Sequence, residues 1–327
     1  MSPSHVHMRF TTYSVFTITR QSRFVCVSVL LSVILTLTGC QATPDPSAED
    51  SRPTARELVD LRGRILSYTD ELSPGGPYAP PDDEQRARLA EGVGSLLDGD
   101  AREAERLLSP VGLTVTRLTD TDSGRRYDEV AATGPGASDR WGRLYLNADS
   151  RLRWSAQVPH PVSDRHTEDL GVRLLEGTPG GALVLAGAHR RAGDGDAADV
   201  AHREDSAFHG IVLELQKRGV PGIQLHGFAE STTDDYDAVL STGASETASG
   251  EVSALADRLD AEALRVCRGW SARCPLEGTT NVQGRAAQRR HATFVHLELA
   301  PDARGDGRDA DEAEDAVAGL LSAWAND

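Results

Sequence analysis

Beyond residue 153, short apolar segments alternate with amphipathic ones, and this alternation constrains the fold more than any other feature. The amphipathic segments carry apolar residues at i, i+3, i+4 and i+7, which is the spacing of a helix face. Strands that alternate with helices are typical of a sheet covered on both sides. We therefore predict an α/β fold with a mostly parallel or mixed sheet and helices on both faces. The strands predicted in this part are 154–158, 182–186, 222–225, 238–240, 264–267 and 294–299.

The chain between residues 56 and 150 follows two other patterns. Apolar residues at helical spacing predict a small helical N-terminal segment over 56–110. Three short stretches bounded by turn residues then predict strands at 113–118, 127–132 and 141–146. We assign those strands to an α/β domain that spans 111–327. Within that domain, the acidic, glycine-rich stretch 302–311 is predicted to be an exposed loop.

The first 39 residues have the features of a secretory signal peptide. Arg20 and Arg23 precede an apolar run at 24–37, which is shorter than the ~20 residues of a membrane-spanning helix. The run ends in Leu37-Thr38-Gly39-Cys40, which resembles the lipobox of bacterial lipoproteins. That resemblance implies a lipid on the cysteine, and the alternative is an ordinary secreted protein. Residues 40–55 are rich in Pro, Ser and Asp and are predicted to be a flexible tether.

These N-terminal features predict an extracytoplasmic protein of the cell envelope that is lipid-anchored to the membrane through Cys40. An oxidising compartment favours disulfides, and we expect Cys267 and Cys274 to form one. The alternative is half of a structural zinc site, which would need two more soft ligands nearby.

Composition excludes some classes of function. The formal net charge is −16, whereas nucleic-acid-binding proteins carry a basic surface, so we expect no nucleic-acid partner. The hydrophobic content of 39% can build a core and excludes disorder throughout the chain. Neither a phosphate-binding loop nor a G-x-S-x-G nucleophile motif occurs in the sequence.

Eight of the ten histidines fall between His160 and His296, inside the alternating part of the chain. Three of them, His160, His189 and His226, follow directly after or end predicted strands. Loops at the carboxyl ends of strands carry the ligand sites of α/β sheets. A single histidine there is most often a surface residue, but three together predict a functional site.

The densest group of candidate ligands is 160–169, with two imidazoles and three carboxylates. Three such ligands suit catalytic Zn²⁺, because they leave one position for water. We predict that His160, Asp164 and His226 bind zinc, with Glu168 as the alternative to Asp164. The competing interpretation is that the acids of this group favour the start of a helix.

Two further groups are candidates for substrate binding and catalysis. Arg190, or Arg203 with its neighbour His202, could bind a substrate carboxylate through two parallel hydrogen bonds. Glu298 is a lone acid in an apolar strand, where a buried carboxylate needs a role or a partner. It is predicted to be a general base, and the alternative is a structural ion pair with an arginine.

The order of these groups resembles the N-formylglutamate amidohydrolase family and the poly-γ-glutamate hydrolases, within the zinc carboxypeptidase-like superfamily. The matching segments are 158–164, 199–203, 225–227 and 296–298. The resemblance implies zinc on His160, Asp164 and His226. It implies a substrate carboxylate on Arg203, and Glu298 as the general base. Where the family has Asn-Arg, this chain has His202-Arg203.

Together these features predict a zinc-dependent hydrolase of amide or peptide bonds in a carboxylate-bearing substrate, either a small molecule or a peptide. The alternative is a non-catalytic surface lipoprotein that binds a ligand or metal on a hydrolase-like fold.

Overall fold

The computed structural model describes residues 56–132 and 141–326. The predicted signal peptide, the tether and the lipid on Cys40 lie outside these residues. The strands are β1 (Glu57–Val59), β2 (Leu113–Asp120), β3 (Arg126–Ala132), β4 (Arg143–Asn147), β5 (Trp154–Val158), β6 (Gly181–Leu185), β7 (Gly222–Gly227), β8 (Ala238–Ser241), β9 (Val266–Arg268) and β10 (Phe294–Leu299). The helices are α1 (Leu61–Thr69), α2 (Asp83–Leu97), α3 (Ala101–Leu108), α4 (Thr167–Gly177), α5 (Ala207–Lys217), α6 (Gly250–Ala261), α7 (Val282–Arg290) and α8 (Arg308–Asn326).

All ten described strands form one sheet in the order β1-β2-β3-β4-β6-β5-β7-β10-β8-β9. The centre, β6-β5-β7-β10, is parallel, while β4 and β8 run antiparallel to their inner neighbours. The sheet is therefore mixed, and the predicted α/β class is confirmed. Because the four central strands are parallel, their carboxyl ends meet at one edge.

Helices cover both faces of the sheet, as predicted. In β7, Ile223 and Leu225 point into a core built with α1, α4, α6 and α8. On the other face, α2, α3 and α5 pack over Ala182 and Val184 of β6. Side chains alternate along a strand, so Gln224 and the other residues out of phase with Ile223 face the second side.

Two regions differ from the predicted pattern. Residues 56–110 contain the strand β1, which pairs with β2 at the sheet edge, in addition to three helices. Asp82 caps the N-terminus of α2 in a capping box with Gln85, which fixes where that helix begins. The stretch 302–311 is not simply an exposed loop, because Arg304 is only 6% exposed and α8 already begins at Arg308.

The predicted disulfide between Cys267 and Cys274 is formed and closes the loop after β9. Among the helices of the described residues, none combines the length and the apolar character that crossing a membrane requires.

Candidate metal centre

The carboxyl ends of β5, β7 and β10 lie side by side and carry the predicted site residues. His160 follows β5 by two residues, His226 lies in β7, and Glu298 lies in β10. In the parallel pairing of β7 with β10, Glu298 is the register partner of His226. All three residues are buried. Because β5, β7 and β10 are neighbours in the sheet, the strand order brings these residues to one edge of it.

Asp164 joins the two histidines. Its Oδ2 atom lies 3.1 Å from Nδ1 of His160 and 3.3 Å from Nδ1 of His226. The same oxygen lies 3.3 Å from the backbone N–H of Gly227, which donates to it. The loop turns back on His160: the N–H of Asp164 donates to the His160 carbonyl at 3.0 Å, and Val162 between them has a left-handed backbone conformation, with φ of 66°.

Asp199 holds the far side of the His160 ring. Its Oδ1 atom lies 2.7 Å from Nε2 of His160, and a carboxylate can only accept there, so Nε2 carries a proton. The other oxygen accepts from Nη2 of Arg190 at 2.8 Å and lies 3.2 Å from Nδ1 of His202. The ring is thus oriented with Nδ1 towards Asp164.

Burial and the charges of neighbouring side chains shift the pKa of each titratable group in this cluster. Burial opposes ionisation of Asp164 and Asp199, yet the imidazoles beside them hold the pKa of both carboxyls well below the usual range. Burial lowers the pKa of His226, which favours its neutral form. At His160 burial also acts to lower the pKa, but the two carboxylates outweigh it and raise the value.

The donor atoms fit zinc. Each of His160, Asp164 and His226 offers one ligand atom, and these atoms lie within 4.8 Å of one another. Two imidazoles and one carboxylate form a catalytic zinc set, and a carboxylate behind a ligating imidazole, as Asp199 provides, is the usual support. A second group of potential ligands, His226 with His296 and Glu298, shares one histidine with the first.

Glu298 and His296 form the wall of the site on β10. Burial, and then the charge of Asp164, raise the pKa of Glu298 to about 8. His296 stacks on His226 with ring centroids 4.4 Å apart, and its Nε2 lies 4.0 Å from Oε1 of Glu298. Its Nδ1 is buried and has no hydrogen-bond partner within the described part of the chain.

Arg304 ties the loops of the site together. Its guanidinium donates to the backbone carbonyls of Arg165, Phe228 and Leu299, which belong to the loops after β5 and β7 and to the end of β10. Gly227 leaves the room for it, because a Cβ there would lie 2.5 Å from Cζ of Arg304.

The remaining predicted residues divide between the site and its surroundings. Oε2 of Glu168 accepts from the N–H of Val162 at 3.3 Å, and Glu168 belongs to neither group of potential metal ligands among the described residues. Arg203 pairs with Asp205 through two hydrogen bonds of 3.0 and 2.7 Å, whereas Arg190 and His202 contact Asp199. The roles of these residues stay predictions. Four residues that lie at or behind the site were not predicted from the sequence: Asp199, Gln224, His296 and Arg304.

No family model and no curated protein matches the chain. Similar solved structures include the ectoine utilization protein EutE from Ruegeria pomeroyi, with 12% identity, a TM-score of 0.41, and 65% of this chain and 71% of that one covered. A succinylglutamate desuccinylase from Silicibacter sp. TM1040 has 11% identity and a TM-score of 0.39, over 64% and 70% of the chains. A metallo-carboxypeptidase from Pseudomonas aeruginosa has 14% identity and a TM-score of 0.34, over 76% and 69%.

Proposed function

We propose that this protein is a zinc-dependent hydrolase of amide or peptide bonds. The observation that carries the proposal is the convergence of His160, Asp164 and His226, with the buried acid Glu298 on the adjoining strand. Zinc bound there would lower the pKa of a coordinated water towards ~7 and polarise the substrate carbonyl.

Glu298 is suited to move the proton in such a reaction. Its carboxyl is buried, has a pKa of about 8, and can therefore exchange a proton near neutral pH. The carboxylate would accept a proton from the attacking water and then return it to the leaving amine nitrogen. Its position on a central strand keeps it in place, since the strand is paired on both sides.

For a carboxylate on the substrate, Arg190 is the better candidate than Arg203. The side chain of Arg190 is 37% exposed and donates one hydrogen bond, from Nη2 to Asp199, beside the proposed metal ligands. Arg203 already directs Nε and Nη2 at Asp205. His202 lies next to Asp199 and is 44% exposed in its side chain, so it is a second contact for the substrate.

We further propose that the protein works outside the cytoplasm, anchored through a lipid on Cys40. The support is the lipobox-like sequence at the end of the apolar run and the disulfide between Cys267 and Cys274. Amide substrates of the cell envelope would then be within reach.

The test starts from metal content, measured by elemental mass spectrometry on the full chain purified in detergent. We expect about one zinc per chain and its loss in a His160→Ala/His226→Ala variant. Glu298→Gln should keep the metal and lose cleavage of acyl-amino-acid and peptide amides by about 100-fold or more. Glu168→Gln is the matched control, a buried acid of the same region, and should keep both.

Two results would contradict the proposal. Wild-type protein that takes up no zinc would refute the metal centre. Zinc uptake without turnover of any amide would instead favour a non-catalytic protein that binds a metal or ligand on this fold.

A further inference from the structure

Behind His226 lies a row of buried amide side chains that the proposed reaction does not use. Gln224 and Gln283 are fully buried, and Asn281 is 1% exposed. Burying an amide is costly unless its hydrogen bonds are made, so each of these side chains needs a partner of the correct type. The hydrogen bonds between these amides extend to the ring of His226.

The first end of the row is set by the backbone of α7. The N–H of Gly284 donates to Oδ1 of Asn281 at 2.9 Å, as in a helix N-cap. The amide nitrogen of Asn281 must then point the other way, and it donates to Oε1 of Gln224. The same Oε1 lies 2.9 Å from Nε2 of His226.

At the other end of the row, the hydrogen bonds of Gln283 independently give the same orientation of the Gln224 amide. Nε2 of Gln283 donates to the backbone carbonyl of Val200 at 2.9 Å, so its Oε1 is the atom that faces Gln224. Nε2 of Gln224 points to that oxygen and donates to Oε1 of Gln157 at 3.2 Å. The Gly284 N–H at one end of the row and the Val200 carbonyl at the other thus require the same orientation of the Gln224 amide, with Oε1 towards His226.

We propose that Asn281 and Gln224 are positioning residues that hold His226 in one tautomer. Oε1 of Gln224 can only accept, so the ring proton of neutral His226 sits on Nε2. The lone pair of Nδ1 is then directed to Asp164, where the metal would bind. This inference rests on the proposed zinc centre and assigns a role to residues that do not touch the metal.

The test is zinc affinity, measured by chelator competition on the full chain in detergent. Gln224→Met fills the space without an acceptor, and we expect it to weaken zinc binding by about 10- to 100-fold. Gln224→Glu keeps an acceptor for His226 and should bind zinc within about threefold of wild type, or more tightly. A role in packing alone predicts the opposite order, because a buried charge disturbs a core more than methionine does.

Asn281→Asp tests the hydrogen bond to Gln224 without removing the cap of α7. Aspartate caps α7 as well as asparagine does, but it presents an oxygen to Gln224 in place of an N–H. Gln224 would then have to turn its NH₂ group, and His226 would lose its acceptor, so we expect zinc binding at least about 10-fold weaker. Gln216→Met is the matched control, since Gln216 is a buried amide that donates to the backbone carbonyl of Gln283 and has no hydrogen bond to Gln224 or His226 within the described residues, and it should bind zinc within about threefold of wild type.

The outcomes separate this inference from the proposed function. If Gln224→Met and Asn281→Asp bind zinc as tightly as wild type while His226→Ala does not, the positioning role is wrong and the metal centre stands. If Gln224→Glu is as weak as Gln224→Met, the role is packing only. If wild type binds no zinc, both ideas fail. Should Gln224→Met not fold, Asn281→Asp decides, because its helix cap is intact.

Discussion

Gly227→Ala should damage the protein through Arg304, although an alanine adds only one methyl group. The three atoms nearest to the new Cβ all belong to the Arg304 guanidinium, at 2.5 to 2.6 Å. Carbon and nitrogen atoms cannot approach so closely, so the guanidinium must move. It is 6% exposed and donates to the carbonyls of Arg165, Phe228 and Leu299, which it would leave without a donor.

The expected cost follows from those hydrogen bonds. A hydrogen bond from a charged donor contributes about 1.5 kcal/mol or more, so losing all three would cost about 4.5 kcal/mol or more. If some re-form after a small shift, the cost falls to about 2 kcal/mol. We therefore expect Gly227→Ala to lower the free energy of unfolding by about 2 to 5 kcal/mol. Arg304 contacts the loop that carries Asp164 and the segment that directly follows His226, so zinc affinity should fall as well.

Urea unfolding of the full chain, followed by tryptophan fluorescence, measures the change. Gly210→Ala in α5 is the control, because its Cβ would meet only Leu89, at 3.8 Å, and alanine favours a helix. In an Arg304→Ala background, Gly227→Ala should cost less than about 0.5 kcal/mol, since the clashing group is gone. Equal stability of Gly227→Ala and wild type would refute the reasoning, as would the same cost in both backgrounds.

Two further predictions concern stability away from the metal centre. Burial, and then the charge of Asp120, raise the pKa of Glu176 to about 7, above its value in the unfolded chain. The contribution of Glu176 to folding stability is therefore complete at low pH and is lost as the pH rises through about 7. In urea titrations, Glu176→Gln should be more stable than wild type by ~1 kcal/mol at about pH 8.5 and equally stable at about pH 4. A gain at the lower pH would contradict this. Replacing Cys267 and Cys274 by serine opens a loop with a sequence separation of 7, which should cost about 2.5 kcal/mol in the same assay; a cost near zero would show that the reduced loop is already ordered.

The parts of the site that could be predicted from the sequence are those tied to strand ends. His160 and His226 each follow or end a run of buried apolar residues, and parallel strands bring such positions together whatever the loops do. The choice between Asp164 and Glu168 could not be made in the same way. It depends on the turn of the loop after β5, in which both Val162 and His166 have left-handed backbones and Asp164 folds back onto His160.

Other residues escaped prediction because their partners are distant in the sequence or chemically ambiguous. Arg304 lies in an acidic, glycine-rich stretch that is typical of an exposed loop, and only the carbonyls of three separate segments explain its burial. Arg190 and Arg203 look equivalent in sequence, and which carboxylate each one meets is decided by the tertiary structure. β1 has three residues, too few to show a strand period.

The strand order also bears on when the site can form. β10 lies between β7 and β8, although it is the last of the described strands along the sequence. Until residues near 299 have emerged during synthesis, β8 and β9 have no central strand to pair with, and the exposed edge of β7 stays open. Glu298 therefore reaches His226 only after β10 has been synthesised and has paired with β7. Insertion of β10 into the sheet and assembly of the candidate site thus become a single folding event.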